Sequence, residues 1–130
     1  MGTENNSRKL GIFDLGGNNV ALYARPGSGG SFQGRPENDI PHITIGLDAD
    51  EWGACATSLV HEALEYASVD LGCRFVPNPD YGLDSAGYAF FMRHDQFGEA
   101  VARATWFLVK ALPVLANAYN QHKRAKKDKP

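Results

Sequence analysis

Cysteine is scarce in this chain, with Cys55 and Cys73 the only two among 130 residues. They stand far apart and form no CxxC pair, so no disulfide framework can be built from them. At most one Cys55–Cys73 bridge is open to the chain, and this usage fits a reducing, cytoplasmic setting. Long hydrophobic runs are also missing. The most apolar segment, ATWFLVKALPVLANAY, is broken by Lys110 and Pro113 and is too short to span a bilayer. The first residues, MGTENNSRKLG, hold no apolar core of a secretory signal. They miss a myristoylation signal because Asn6 occupies the position that needs Ser or Thr.

Basic residues are absent from a long central span. Between Arg35 and Arg74 there is no Lys or Arg, yet the span holds Glu37, Asp39, Asp48, Asp50, Glu51, Glu62, Glu65 and Asp70. An acidic stretch of this kind excludes a nucleic-acid face there and suits a bound cation. The net charge of −2 divides into +4 over residues 122–130 and −6 over the rest. The basic end, HKRAKKDK, reads as a solvated, flexible tail and is the one place where nucleic acid or an acidic partner would be met.

What is present is enough for one domain. A chain of 130 residues with 43% hydrophobic content can bury a modest core without staples. Residues 1–9 read as frayed. LGIFDLGGNNVALYARPG reads as strand, turn and strand, since Gly16, Gly17, Asn18 and Asn19 tolerate the positive φ of a tight hairpin. Residues 26–41, PGSGGSFQGRPENDIP, read as a loop rich in Gly and Pro, with 29–36 as its flexible part or lid. Within it GGSFQGRP lacks the Lys and Ser/Thr of a phosphate-binding loop, where Arg35 and Pro36 stand instead. IPHITIGL reads as a third strand and YAFFM as a fourth.

Two helices complete the pattern. The first is expected from about Asp50 to about Leu71, capped by Asp48 or Asp50 and stopped by Gly72. Its apolar stripe would be Ala56, Val60, Ala63, Leu64, Ala67 and Leu71. The second begins near Gln96, with Phe97, Val101, Ala104, Leu108, Ala111 and Leu115 inward and Trp106 and Phe107 widening the buried side. Pro113 is expected to kink or restart it. The order predicts an α+β fold, a small antiparallel or mixed sheet of about four strands with two main helices on one face.

Chemistry concentrates in SLVHEALEYA, residues 58–67. His61 and Glu65 are one helical turn apart and share a face with small residues, Ala54, Thr57, Ser58 and Ser68. The positions four beyond Glu62 and Glu65 are Tyr66 and Val69, so neither acid has a cationic partner on its own helix. An imidazole and a carboxylate so placed can grip one side of Zn²⁺. Glu62, beside them, could take a proton from water as a general base. A third ligand must come from elsewhere. His94 is the first choice, with Asp95 as ligand or supporting partner and His42 as the runner-up.

HEALE resembles the zincin metallopeptidase helix in its HExxE form, with Glu65 where the usual HExxH motif has its second His. The preceding strand, HITIGL, extends the resemblance, because zincins lay substrate along an edge strand before this helix. The whole chain also resembles small phage and prophage proteins in which a strand leads into an HExxE-type helix. The resemblance implies a zinc-dependent peptidase or hydrolase, with His61 and Glu65 as metal ligands, Glu62 as base and a peptide lying along residues 42–47. The contrasting expectation is a non-enzymatic phage accessory or inhibitor protein that binds a host protein in the host cytoplasm.

Overall fold

The computed structural model describes residues 6–34, 36–37, 39–75 and 89–128. Strands β1 (Arg8–Leu15), β2 (Asn18–Arg25), β3 (Gly30–Gln33) and β4 (His42–Gly46) form one mixed sheet in the order β1-β2-β4-β3. Helices α1 (Trp52–Asp70) and α2 (His94–Lys127) pack on each other, with α1 over β3 and β4 and α2 over β1 and β2. The architecture is α+β, as the element pattern predicts. No helix among the described residues is long and apolar enough to cross a membrane.

The first hairpin forms where the sequence puts it. Gly16 and Gly17 both have positive φ, 63° and 90°, which is the backbone of a two-residue turn that keeps the strands' right-handed twist. β1 and β2 pair antiparallel from Arg8, so residues 8 and 9 are strand rather than frayed end.

Beyond Arg25 the chain departs from its local reading. β4 runs parallel to β2 and antiparallel to β3, so it lies between two strands that are consecutive in sequence. The β2–β3 connection must therefore cross the end of β4, and Gly46 makes room for it. A Cβ on Gly46 would overlap the Gly27 carbonyl and come within 2.7 Å of Ser28 Cα. The crossing is tied down by Gly46 N–H to Gly29 O at 2.8 Å and Asp48 N–H to Gly27 O at 2.8 Å. Part of the expected loop is thus strand β3. Its glycines made the local pattern read as loop, yet they are what tight packing requires.

Of the expected fourth strand, YAFFM, Tyr88 lies outside the described residues and residues 89–92 do not join the sheet. Ala89–Phe90 (β6) pairs only with Arg74–Phe75 (β5) in a separate two-stranded ladder among the described residues.

Leu15, Val20, Leu22, Ile43 and Ile45 project from the sheet into a core shared with Leu59, Ala63, Phe107 and Leu115. Each of the larger side chains contributes about 1.5–3 kcal/mol on burial. Ala100, Ala104, Ala111 and Ala118 line the inward side of α2, so its backbone approaches α1 and the sheet closely. Phe97 and Val101, expected inward, are exposed, as is Trp106. The alanines fix which side faces in, because close approach to α1 favours small residues over large ones.

Both helix ends differ in part from expectation. At α1 the N-cap is Glu51, and Asp48 is engaged elsewhere. Gly72 takes φ 76° and closes the helix, with Gly72 N–H to Val69 O at 2.9 Å and Cys73 N–H to Ser68 O at 2.9 Å. α2 continues through Pro113, which is exposed, and reaches Lys127. Residues 122–127 are therefore helix, where a flexible tail was expected. His122 lies 2.7 Å from Asp48 Oδ1, and Lys126 pairs with the same carboxylate. Both cysteines are buried free thiols.

Candidate metal centre

Glu62 enters the site from the buried side of α1. The helix turns Cys55, Leu59, Glu62, Ala63, Tyr66 and Ala67 inward, so Ala63 and Ala67 of the expected stripe are buried while Ala56, Val60, Leu64 and Leu71 are only partly so. The cause lies in the sheet beneath. A Cβ on Gly30 would stand 2.8 Å from Ile45 Cδ1 and 3.1 Å from Glu62 Cγ. With glycine there, the Glu62 stem fills the space over β3. Next to it, Phe32 and Tyr66 meet edge to face at 5.9 Å.

Three donors from little more than one helical turn converge. His61 Nε2 lies 3.0 Å from Glu65 Oε2 and 3.7 Å from Glu62 Oε2. All three ligand atoms fall within 4.8 Å of one another. Donors at ~2.0–2.2 Å from a tetrahedral ion are roughly 3.3–3.6 Å apart, a spacing that the two distances from His61 bracket. The two carboxylate side chains are only 9% and 10% exposed, whereas His61 is 65% exposed. The imidazole therefore forms the outer rim and the acids the floor.

Burial pushes the Glu62 carboxyl above its ordinary value. The neighbouring His61 opposes that shift, and the nearby Glu65 adds to it. Two acids this close and this dry need positive charge between them, whether a proton, a cationic side chain or a metal ion. Arg74 of β5 contributes some, with Nη1 3.8 Å from Glu65 Oε1. The absence of basic residues along 36–73 therefore does not leave the glutamates alone. The cation arrives from just beyond α1, which same-helix spacing could not reveal.

The residues expected as a third ligand fall elsewhere. His94 opens α2 on the surface and is not one of the three converging donors. Asp95 is held by Arg93 at 3.0 and 3.2 Å. His42 lies in β4, edge to face with Tyr23 at 5.6 Å, and its buried Nδ1 has no hydrogen-bond partner among the described residues. Glu62, read from the motif as base, occupies the third place in the cluster. Its inward position would have been legible only from the Cys55–Leu59–Glu62–Tyr66 spacing.

Beside the cluster is a groove of about 260 Å³ lined by His61, Leu64, Glu65, Phe90, Met92 and Phe97, among others. Across α1 lies a second cavity of about 260 Å³, bounded by Phe32, Tyr66, Asp70 and Arg74. The expected substrate strand along 42–47 meets an obstacle. β4 is paired on both sides, so its backbone groups are already used. The sheet edge nearest the cluster is β3.

Fold and site together define a small α+β protein with a His61–Glu62–Glu65 cluster whose candidate ligand atoms lie within 4.8 Å of one another. Comparison with protein-family models, with curated proteins and with solved structures finds no match.

Proposed function

We propose that the protein binds a divalent cation, Zn²⁺ by preference, through His61 and Glu65 with Glu62 beside them, and acts as a zincin-like hydrolase on peptide. The observation that carries the reading is the convergence of one imidazole and two nearly buried carboxylates within 4.8 Å. One nitrogen and two carboxylate oxygens suit Zn²⁺, and Mn²⁺ or Fe²⁺ less closely. When bound, such an ion polarises a carbonyl and makes water a nucleophile at neutral pH.

The chain's own groups supply the rest. His61 and Glu65 hold the ion. Glu62, whose pKa is raised by burial, is placed to take up and return a proton. An extended peptide would lie along β3, the sheet edge beside Glu62, rather than along β4. A second reading is favoured by Arg74, which already brings positive charge to Glu65. In that reading the cluster is a structural ion-pair network, and the protein is a non-enzymatic phage-type factor that binds a host protein.

Elemental analysis after dialysis separates them. The metal reading expects about one equivalent of zinc, and a roughly hundred-fold or greater loss of affinity in His61→Ala and Glu65→Gln. Glu62→Gln should retain zinc and lose peptide hydrolysis if Glu62 is the base, whereas it should lose zinc if Glu62 is a ligand. A folded protein that takes up no zinc, manganese or iron at micromolar concentration would overturn the proposal.

A further inference from the structure

The outward side of α2 has no partner among the described residues, and it is apolar. Trp106 is 73% exposed and Val109 61%, with Phe97 and Val101 also in solvent. Gly98 and Ala102 lie between them at helical spacing. Glu99, Arg103 and Lys110 keep to one flank, where Arg103 reaches Asp70 at 3.1 Å. The apolar surface continues past the start of the helix, because Phe97 and Phe90 wall the same groove and Phe75 meets Phe91 edge to face at 6.5 Å. With full aromatic side-chain areas of ~150–250 Å² and the exposed fractions of these residues, the surface amounts to roughly 700 Å² per molecule. That exceeds the ~300–600 Å² patch of an ordinary monomer and approaches the ~800 Å² per partner of a standard interface.

We propose that this face binds a second copy of the chain, with the two α2 helices antiparallel about a two-fold axis near residue 104. The distribution of large and small residues favours a second copy over an unrelated partner. A two-fold axis places residue i of one helix opposite a residue near 208 − i of the other, and each flank meets the same flank of the second copy. Trp106 then covers Ala102 of the second copy. Val109 drops into the gap at Gly98, where no heavy atom comes within 4 Å of an added Cβ. Every large side chain in the centre thus meets a smaller one, twice over, and the glycine lets the backbones approach.

The open space at Gly98 provides a clean test. Gly98→Glu fits the isolated molecule and improves helix propensity, so it should fold as well as the parent. In a dimer it would bury two charges. Sedimentation equilibrium on the parent should give twice the 14.2 kDa chain mass at micromolar concentration. Gly98→Glu should weaken association by roughly a hundred-fold, with an unchanged circular dichroism spectrum, and Trp106→Ala should weaken it similarly. In a Trp52→Phe background, Trp106 emission should shift to the blue as concentration rises. A parent that stays monomeric at several hundred micromolar would overturn the proposal, since the face would then await another occupant. A dimer unaffected by both Gly98→Glu and Trp106→Ala would overturn it equally, by placing the interface elsewhere.

Discussion

Asp48 and His122 stand 74 residues apart in sequence and 2.7 Å apart in space. The same carboxylate accepts the Gly27 N–H at 2.5 Å and pairs with Lys126. One side chain thus fastens the β2–β3 crossing, the entry to α1 and the last turns of α2. These contacts hold the Asp48 carboxyl far below the usual carboxylate range, with the Lys126 and His122 hydrogen bonds as the main causes.

Removing Asp48 should therefore loosen three elements at once. Asp48→Ala is expected to cost about 2 kcal/mol, the order of lost hydrogen bonds to a charged group. Because the folded pKa is depressed, this stabilisation is fully present above the unfolded value near 3.9 and is lost as pH falls below it. Urea melts at pH 7 and pH 3 check both points. The gap between parent and variant should shrink at pH 3.

Glu62 carries the opposite sign. Its folded pKa is raised, so the metal-free protein is favoured while Glu62 is protonated and loses stability as pH rises from about 4.5 through the folded value. In chelator, Glu62→Gln should have the flatter profile of melting temperature as pH rises from about 4.5 through the folded value. With metal present, affinity should climb over the same interval, because binding displaces the Glu62 proton. Calorimetric titrations in buffers of different ionisation enthalpy would count that proton.

Arg74 distinguishes an ion site from an ion pair. A guanidinium 3.8 Å from Glu65 repels an incoming divalent cation. Arg74→Ala should raise metal affinity by about three- to ten-fold, a range set by one partly screened charge. If the cluster is only a structural network, the variant should lose stability and gain no metal affinity.

Two glycines should respond in opposite ways. Gly46→Ala drives a methyl into the backbone of Gly27 and Ser28, and an overlap with main chain leaves little room to relax. A loss of about 3 kcal/mol or more is expected. Gly53, in the first turn of α1, has no neighbour within 4 Å of an added Cβ. Gly53→Ala should stabilise by up to ~1 kcal/mol through helix propensity. Thermal melts of the two variants measure both changes.

The sequence alone determined whatever depends on near neighbours along the chain. Gly16 and Gly17 mark the hairpin, Gly72 stops α1, and helical periodicity locates the starts of both helices to within a few residues. His61 and Glu65 meet because four residues make about one turn of any helix. What lies opposite a residue was decided by tertiary structure. The insertion of β4 between β2 and β3, the inward turn of Glu62 over Gly30, the approach of Arg74 and the docking of His122 on Asp48 each join segments whose spacing carries no signal of contact. Gly30 and Gly46 show the reason: glycine next to glycine looks like loop until another part of the chain is pressed against it, and only then does the missing side chain become the condition for packing.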